Sequence, residues 1–186
     1  MKTEIITVPP LGGDKAAIEK AAGIIRRGGL VVFPTETVYG IGGNATDADA
    51  ARAIYEAKGR PSDNPLIIHI ANPEDAEAYA HTNDTYYKLA RQFMPGPLTV
   101  ILPKKETIPA SVTGGLDTVA VRCPAHPVAR ALIEAAGVPI AAPSANRSGK
   151  PSPTLASHVI EDLDGRVDMI IDGGPSEVGL ESTIVA

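Results

Sequence analysis

The sequence predicts an α/β fold, a mixed and largely parallel open sheet flanked by helices. Short runs rich in Val, Ile and Leu recur along the chain as LVVF, LIIHIA, LTVIL, TVAVR, VPIAA and DMIID, the composition of buried strands. Between most of them lie amphipathic stretches of about ten residues or more, the length that a crossover between parallel strands requires. The 186 residues are 44% apolar and 21% charged, enough to bury roughly 70% of the unfolded surface without disulfides or metal staples.

The elements follow in chain order. DKAAIEKAAGIIRRGG, 14–29, offers an acidic N-cap, apolar residues at helical spacing, arginines in the last turn and a glycine stop, all helix signals. LVVF at 30–33 is the strand after it. DADAARAIYEAKG, 47–59, repeats the helix pattern, and LIIHIA at 66–71 is the next strand. Two helical stretches cover 73–93, followed by the strand LTVIL at 98–102. A turn at Gly114 and Gly115 leads into TVAVR at 118–122, the helix PVARALIEAAG and the strand VPIAA at 138–142. A helix near 154–163, the strand DMIID at 168–172 and a short strand in STIVA close the chain.

Composition excludes several function classes. No tract is of low complexity and no internal repeat is visible, so one globular domain over 1–186 is expected. No apolar run approaches the roughly 20 residues of a membrane span, and MKTEIITVPPLGG lacks a signal-peptide core. Cys123 is the single cysteine, which fits a reducing compartment and a cytoplasmic location. Acidic residues outnumber basic ones by 22 to 17, a net charge of −5, which argues against a dedicated nucleic-acid binder.

In open α/β sheets ligands collect where loops leave the strand ends, and here the unusual residues concentrate in such loops. PTETVYGIG (34–42), KGRPSDNP (58–65), MPGPLT (94–99) and APSANRSGKPSPT (142–154) are stiffened by Pro and Gly and rich in hydroxyls and amides. Each also has a plain reading. Lys58 suits a helix C-terminus, Arg60 a solvated loop, Ser144 and Asn146 a turn, and His69 a hydrogen-bonded strand position. Cys123 and His126 in RCPAHP lack the further ligands that zinc needs. The P-loop, the dinucleotide fingerprint, the H-E-x-x-H helix and the G-x-S-x-G elbow are all missing. What remains is an anion-binding cleft with no activated nucleophile, and phosphoryl or nucleotidyl transfer needs little beyond positioning and charge.

PTETVYGIG, KGRPSDNPL with His69 downstream, PGPLT, VRCPAHP, PSANRSGKPSPT and ESTIV resemble, in that order, the motif series of the Sua5/YrdC family of threonylcarbamoyl-adenylate synthases. The resemblance spans residues 15 to 186. It implies a twisted mixed sheet flanked by helices and an enzyme making threonylcarbamoyl-AMP and pyrophosphate from L-threonine, bicarbonate and ATP, for the t6A modification of tRNA. By it Lys58 and Arg60 hold the ATP phosphates and carry the catalytic role, and Asn64, Asn146, Ser152 and Thr154 are further ATP contacts. Thr35, Thr37, His69, Ser144 and Ser182 fall on the threonine side, with Arg122 a candidate for its carboxylate or a phosphate. No protein metal ligands are expected; Mg2+ travels with the ATP. The product goes to the downstream t6A transferase machinery.

Family members usually continue past ESTIVA into an R-x-G segment, and two-domain members carry a linker and a further C-terminal domain, neither of which is in this sequence; 1–186 is expected to be a single catalytic domain, either an enzyme by itself or the catalytic domain of a longer one. The alternative is an RNA-binding module for tRNA or double-stranded RNA without catalysis of its own. For it the sequence offers Arg26 with Arg27, Lys104 with Lys105, and Arg147 with Lys150. Weak tRNA contact is compatible with either. A further reading is a carbamoyl-adenylate enzyme with another amine acceptor.

Overall fold

The computed structural model describes residues 1–59, 64–179 and 182–186. The strands are β1 (Glu4–Thr7), β2 (Val31–Pro34), β3 (Tyr39–Asn44), β4 (Ile67–His69), β5 (Leu98–Pro103), β6 (Thr118–Arg122), β7 (Ile140–Ala141), β8 (Met169–Asp172) and β9 (Thr183–Val185). The helices are α1 (Lys15–Arg26), α2 (Ala48–Lys58), α3 (Asp84–Phe93), α4 (Ala110–Thr113), α5 (Pro127–Ala136) and α6 (Ala156–Leu163), with a 3-10 turn over Pro73–Ala78. Local chemistry sets the boundaries. Asp14 accepts from the Ala17 amide and Asp47 from those of Asp49 and Ala50, satisfying donors that the first helical turn leaves unpaired. Gly59 ends α2 at φ 64°, a left-handed cap that favours glycine.

The strands form one nine-stranded sheet in the order β1-β8-β2-β3-β7-β4-β6-β5-β9. It is mixed, as expected, but divided evenly: four pairings are parallel and four antiparallel. The parallel majority expected from helix-separated strands is offset mainly by β3 and β7, which make three of the four antiparallel pairings; the fourth is β5 with β6. Strand β3 returns directly from β2 as an antiparallel hairpin, and β7 runs antiparallel to both of its neighbours.

Three elements differ from the sequence expectation. Residues 39–42, part of the stretch 34–42 read as loop, belong to β3; the pattern does not show the strand because glycines carry little strand propensity. A Cβ at Gly42 would lie 2.6 Å from Ile140 Cγ2 and 2.7 Å from Phe33 Cε1, so close packing demands the missing side chain. The others are β1, a short edge strand pairing with β8, and the four-residue helix α4, which Gly114 ends.

Period-two alternation divides the core between the two faces. Val31, Phe33, Ile140, Met169 and Ile171 pack with α1 and α5 through Ile18, Ile25, Val128 and Leu132. Val32, Ile41, Ile68, Val121 and Ile170 pack on the opposite side with Ile54 of α2 and Val159 of α6. One transverse row of the sheet organises the site. Ile140 pairs with His69, His69 with Arg122, Arg122 with Thr99, and Thr99 with Ile184, across β7, β4, β6, β5 and β9. Residues directly opposite on neighbouring strands share a face.

Candidate functional site

Polar groups from distant segments converge on this row around a cavity of about 190 Å3. Its polar lining is Thr35, Thr37, His69, Arg122, Ser144 and Ser182, and Pro65, Ile67, Ala142 and Ile184 supply apolar wall. All the residues assigned above to the threonine side are thus together. They come from the loop after β2, the ends of β4 and β6, the loop after β7 and the segment entering β9.

Arg122 is the hub. Its Nε donates to the Gly96 carbonyl (3.2 Å), its Nη1 to Thr37 Oγ1 (3.0 Å), and its Nη2 lies 2.7 Å from Glu36 Oε1. Glu36 Oε2 in turn accepts from the Ala125 amide at 2.8 Å. Burial lowers the Arg122 pKa and the Glu36 carboxylate opposes it, the expected behaviour of a desolvated but paired cation.

Hydrogen-bond directions in the 35–38 loop follow from donor counting. The single Thr35 proton goes to the Val38 carbonyl at 2.7 Å, while Thr35 Oγ1 also accepts from the amides of Thr37 and Val38. The two consecutive amides, at 3.2 and 3.3 Å, share one lone pair of Thr35 Oγ1, and with the Thr35 proton committed, the 2.9 Å contact between the hydroxyls of Thr35 and Thr37 is donated by Thr37 into the other. Thr35 is saturated and shapes the loop. Thr37, having received from Arg122 and given to Thr35, has only a lone pair left, so it faces a ligand as an acceptor.

His69 is likewise fixed. Its Nδ1 sits 3.2 Å from the carbonyls of both Ile67 and Ile140, which only a protonated Nδ1 satisfies. The neutral ring then has Nε2 as an acceptor, and no residue among those described bonds to it. Burial, then the charge of Arg122, pushes its pKa down to about 3. The unfolded chain binds this proton below about pH 6.5 and the folded chain does not until about 3. The stability contributed is complete above pH 6.5 and lost as pH falls. Between pH 6 and 4 the unfolding free energy of the wild type should fall with pH more steeply than that of His69→Gln, by about 1.4 kcal/mol per unit. Urea midpoints across that range check this, and parallel curves would sink it.

The residues assigned to ATP lie beside the cavity rather than in it. Lys58 is the last residue of α2, where the plain reading puts it, but it is buried there, 2% exposed, and its Nζ donates to the Ser144 carbonyl at 2.5 Å. Its own carbonyl accepts from the Ser148 amide, so Lys58 ties α2 to the loop after β7. Asn146 is buried; its Nδ2 donates to the carbonyls of Arg147 and Lys150 at 2.9 and 2.8 Å. Its Oδ1 is buried with no hydrogen-bond partner among the described residues. Ser152 lines a separate cleft of about 300 Å3 with Lys150 and His158. Thr154 holds the Ser176 amide through its carbonyl. Asn64 is exposed, next to the cavity-lining Pro65, and its carbonyl accepts from the Tyr55 hydroxyl. Arg60 lies outside the described residues.

Three contributors had no sequence signal strong enough to single them out. Glu36 neutralises Arg122. Ser176 donates to the Thr35 carbonyl at 2.9 Å, and the amides of Val178 and Gly179 bond the carbonyls of Glu36 and Thr37, laying a second loop over the first. Thr99 meets Ser182. Cys123 and His126 have other work: the buried Cys123 thiol donates to the Ala71 carbonyl, and His126 Nδ1 accepts from the Val128 amide to cap α5.

With this geometry in hand, comparison with known proteins is specific. Residues 23–186 match the sequence profile of the Sua5/YciO/YrdC family, whose description reads telomere recombination. The chain is 60% identical over 169 residues to the threonylcarbamoyl-AMP synthase of Pyrococcus abyssi, covering 90% of this chain and 50% of that protein. To the threonylcarbamoyl-AMP synthase of Bacillus subtilis it is 56% identical over 178 residues, 95% of this chain and 51% of the other. The solved structure of P. abyssi Sua5 complexed with L-threonine matches with a TM-score of 0.95 at 57% identity, over 98% of this chain and 54% of that one. Escherichia coli YciO shares the fold, with a TM-score of 0.87 at 24% identity over 98% of this chain and 89% of that one. The chain spans about half the length of the Pyrococcus and Bacillus relatives.

Proposed function

This chain belongs to the Sua5/YciO/YrdC family, and from that premise we propose that it makes threonylcarbamoyl-AMP and pyrophosphate from L-threonine, bicarbonate and ATP, for t6A modification of tRNA. The observation that carries the reading is the convergence of Thr35, Thr37, His69, Arg122, Ser144 and Ser182 on one cavity. At about 190 Å3 it is smaller than the ~300–1,000 Å3 of sites for drug-sized ligands, which suits a small amino acid. The nucleotide then lies outside, along the 142–154 segment, where Lys58 and Asn146 sit and Ser152 and Thr154 follow.

In this scheme bicarbonate takes up a proton and loses water to give CO2, and threonine's neutral amine adds to the CO2 carbon and releases a proton to give a carbamate. A carbamate oxygen attacks the α-phosphorus of ATP, the bond to the bridging oxygen breaks, and pyrophosphate leaves. No protein nucleophile is consumed. The chain's task is to hold the two substrates in line and balance charge, which well-placed cations and dipoles do effectively in a dry site. Lys58, Arg60 and Asn64 are assigned to the triphosphate side. Among the described residues there is no group of three or more His, Cys, Asp or Glu that could hold a metal, and the Mg2+ that accompanies ATP would be bound mainly by phosphates and water. Among the described residues no helix is long and apolar enough to cross a membrane. The product would pass to the t6A transferase machinery in the cytoplasm.

The direct test is pyrophosphate release that requires both threonine and bicarbonate; ATP hydrolysis indifferent to either would overturn the reading. Lys58→Met keeps most of the buried stem and removes the charge. A charge-assisted bond to phosphate is worth about 1.5–3 kcal/mol, so kcat/KM for ATP should drop about ten- to a hundredfold. Some loss of melting temperature should accompany it, because the bond to the Ser144 carbonyl goes too. A variant that keeps full activity would remove Lys58 from the phosphate site.

A further inference from the structure

In the transverse row that floors the cavity, His69, Arg122 and Ile184 line the space and Thr99 does not. Thr99 is 0% exposed and sits in β5 between Leu98 and Val100, both buried and apolar. A hydroxyl at such a position needs a partner. Its partner is the Ser182 hydroxyl, 2.6 Å away, and Ser182 does line the cavity. Ser182 precedes β9 rather than belonging to it, so the strand ladder does not orient its side chain. The nearest backbone tie is from the Thr183 amide to the Pro97 carbonyl. Thr99 is the one residue among those described that holds the Ser182 hydroxyl.

We infer that Thr99 is a positioning residue of the amino-acid subsite, fixing the rotamer and proton direction of Ser182 at the cavity wall. This rests on the reading of the cavity as the threonine site. Thr99 sits directly opposite Arg122 on the adjacent strand, so the same strand pairing registers Ser182 against the guanidinium. Ser182 lies at the cavity wall, where solvent can take over its lost hydrogen bond, so folding depends little on the pair, which separates this role from a structural one.

The test is calorimetric binding of L-threonine to wild type, Thr99→Val, Thr99→Ser, Ser182→Ala and the Thr99→Val/Ser182→Ala double variant, each checked by thermal melting. Valine keeps the shape of the residue and removes the hydroxyl, and Thr99→Ala is a second probe of the same loss. Thr99→Val should weaken threonine about three- to tenfold, the worth of one neutral hydrogen bond, with kcat within about twofold. Thr99→Ser should bind like the wild type, and adding Thr99→Val to Ser182→Ala should change nothing further. Unaltered binding by Thr99→Val, or an equal loss in both backgrounds, overturns the inference while leaving the threonine site standing. A wild-type protein that binds no threonine overturns the site itself and the inference with it.

Discussion

Glu36→Ala should lower the unfolding free energy by about 3–5 kcal/mol, the usual result of removing one partner of a buried ion pair. The Arg122 side chain is 4% exposed and that of Glu36 15%, so neither solvent nor salt can replace the missing carboxylate. The guanidinium would remain in the sheet, held by the Gly96 carbonyl and the Thr37 hydroxyl, with its charge uncompensated. For a chain of 186 residues, where each kcal/mol moves the melting temperature by about 2–4 °C, the loss should be on the order of 6–20 °C. Glu36→Gln keeps an oxygen for the Ala125 amide and should fall in between. Glu36→Ala combined with Arg122→Met removes both charges and should recover part of the loss. Scanning calorimetry on the four proteins decides it. A Glu36→Ala variant melting within a degree of the wild type would show that the pair does not hold the site together.

Glu36 also marks the limit of what the sequence discloses. The capped helices were legible because their signals are local: Asp14 and Asp47 sit within three residues of the amides they cap. Thr35, Thr37, His69, Ser144 and Ser182 were legible through the motif series, as was Arg122. Burial was not. Lys58 reads as a helix-end cation, and only the packing of the 142–154 segment against α2 shows that its ammonium meets the Ser144 carbonyl. Strand β3 was missed for a steric reason: Gly42 is there for the space its neighbours need, which no period registers. Thr99 and Glu36 share one cause of invisibility, since each acts through a partner far along the chain that only the sheet register brings near. The evenly mixed sheet hangs on β3 and β7, the first hidden by its glycines and the second only two residues long.

The donor and acceptor pattern of the cavity leads to the largest expected effect, the discrimination among amino acids. Thr37 Oγ1 is left with only a lone pair, and the Nδ1 proton of His69 is committed to backbone carbonyls, leaving Nε2 to accept. Acceptors with no donor of their own favour a substrate that brings one, and the proposed substrate's side-chain hydroxyl has one proton to give to Thr37 Oγ1 or to His69 Nε2. Valine matches threonine in shape and lacks that proton, so it would bury the acceptor that the hydroxyl serves unpaired; sites built to hydrogen-bond a substrate group reject such analogues by about 10⁴-fold. Serine keeps the hydroxyl and lacks only a methyl, whose loss from an apolar wall costs about 10- to 200-fold; Ile67 and Ile184 provide that wall. The expected order in kcat/KM is threonine, then serine, then valine far behind. Because His69 stays neutral until about pH 3, the order should hold from pH 6 to 9. Pyrophosphate release with each amino acid, at saturating ATP and bicarbonate, measures it. Valine turning over as fast as serine would mean that Thr37 and His69 do not read the hydroxyl, and the acceptor of the carbamoyl group would have to be sought among other amines.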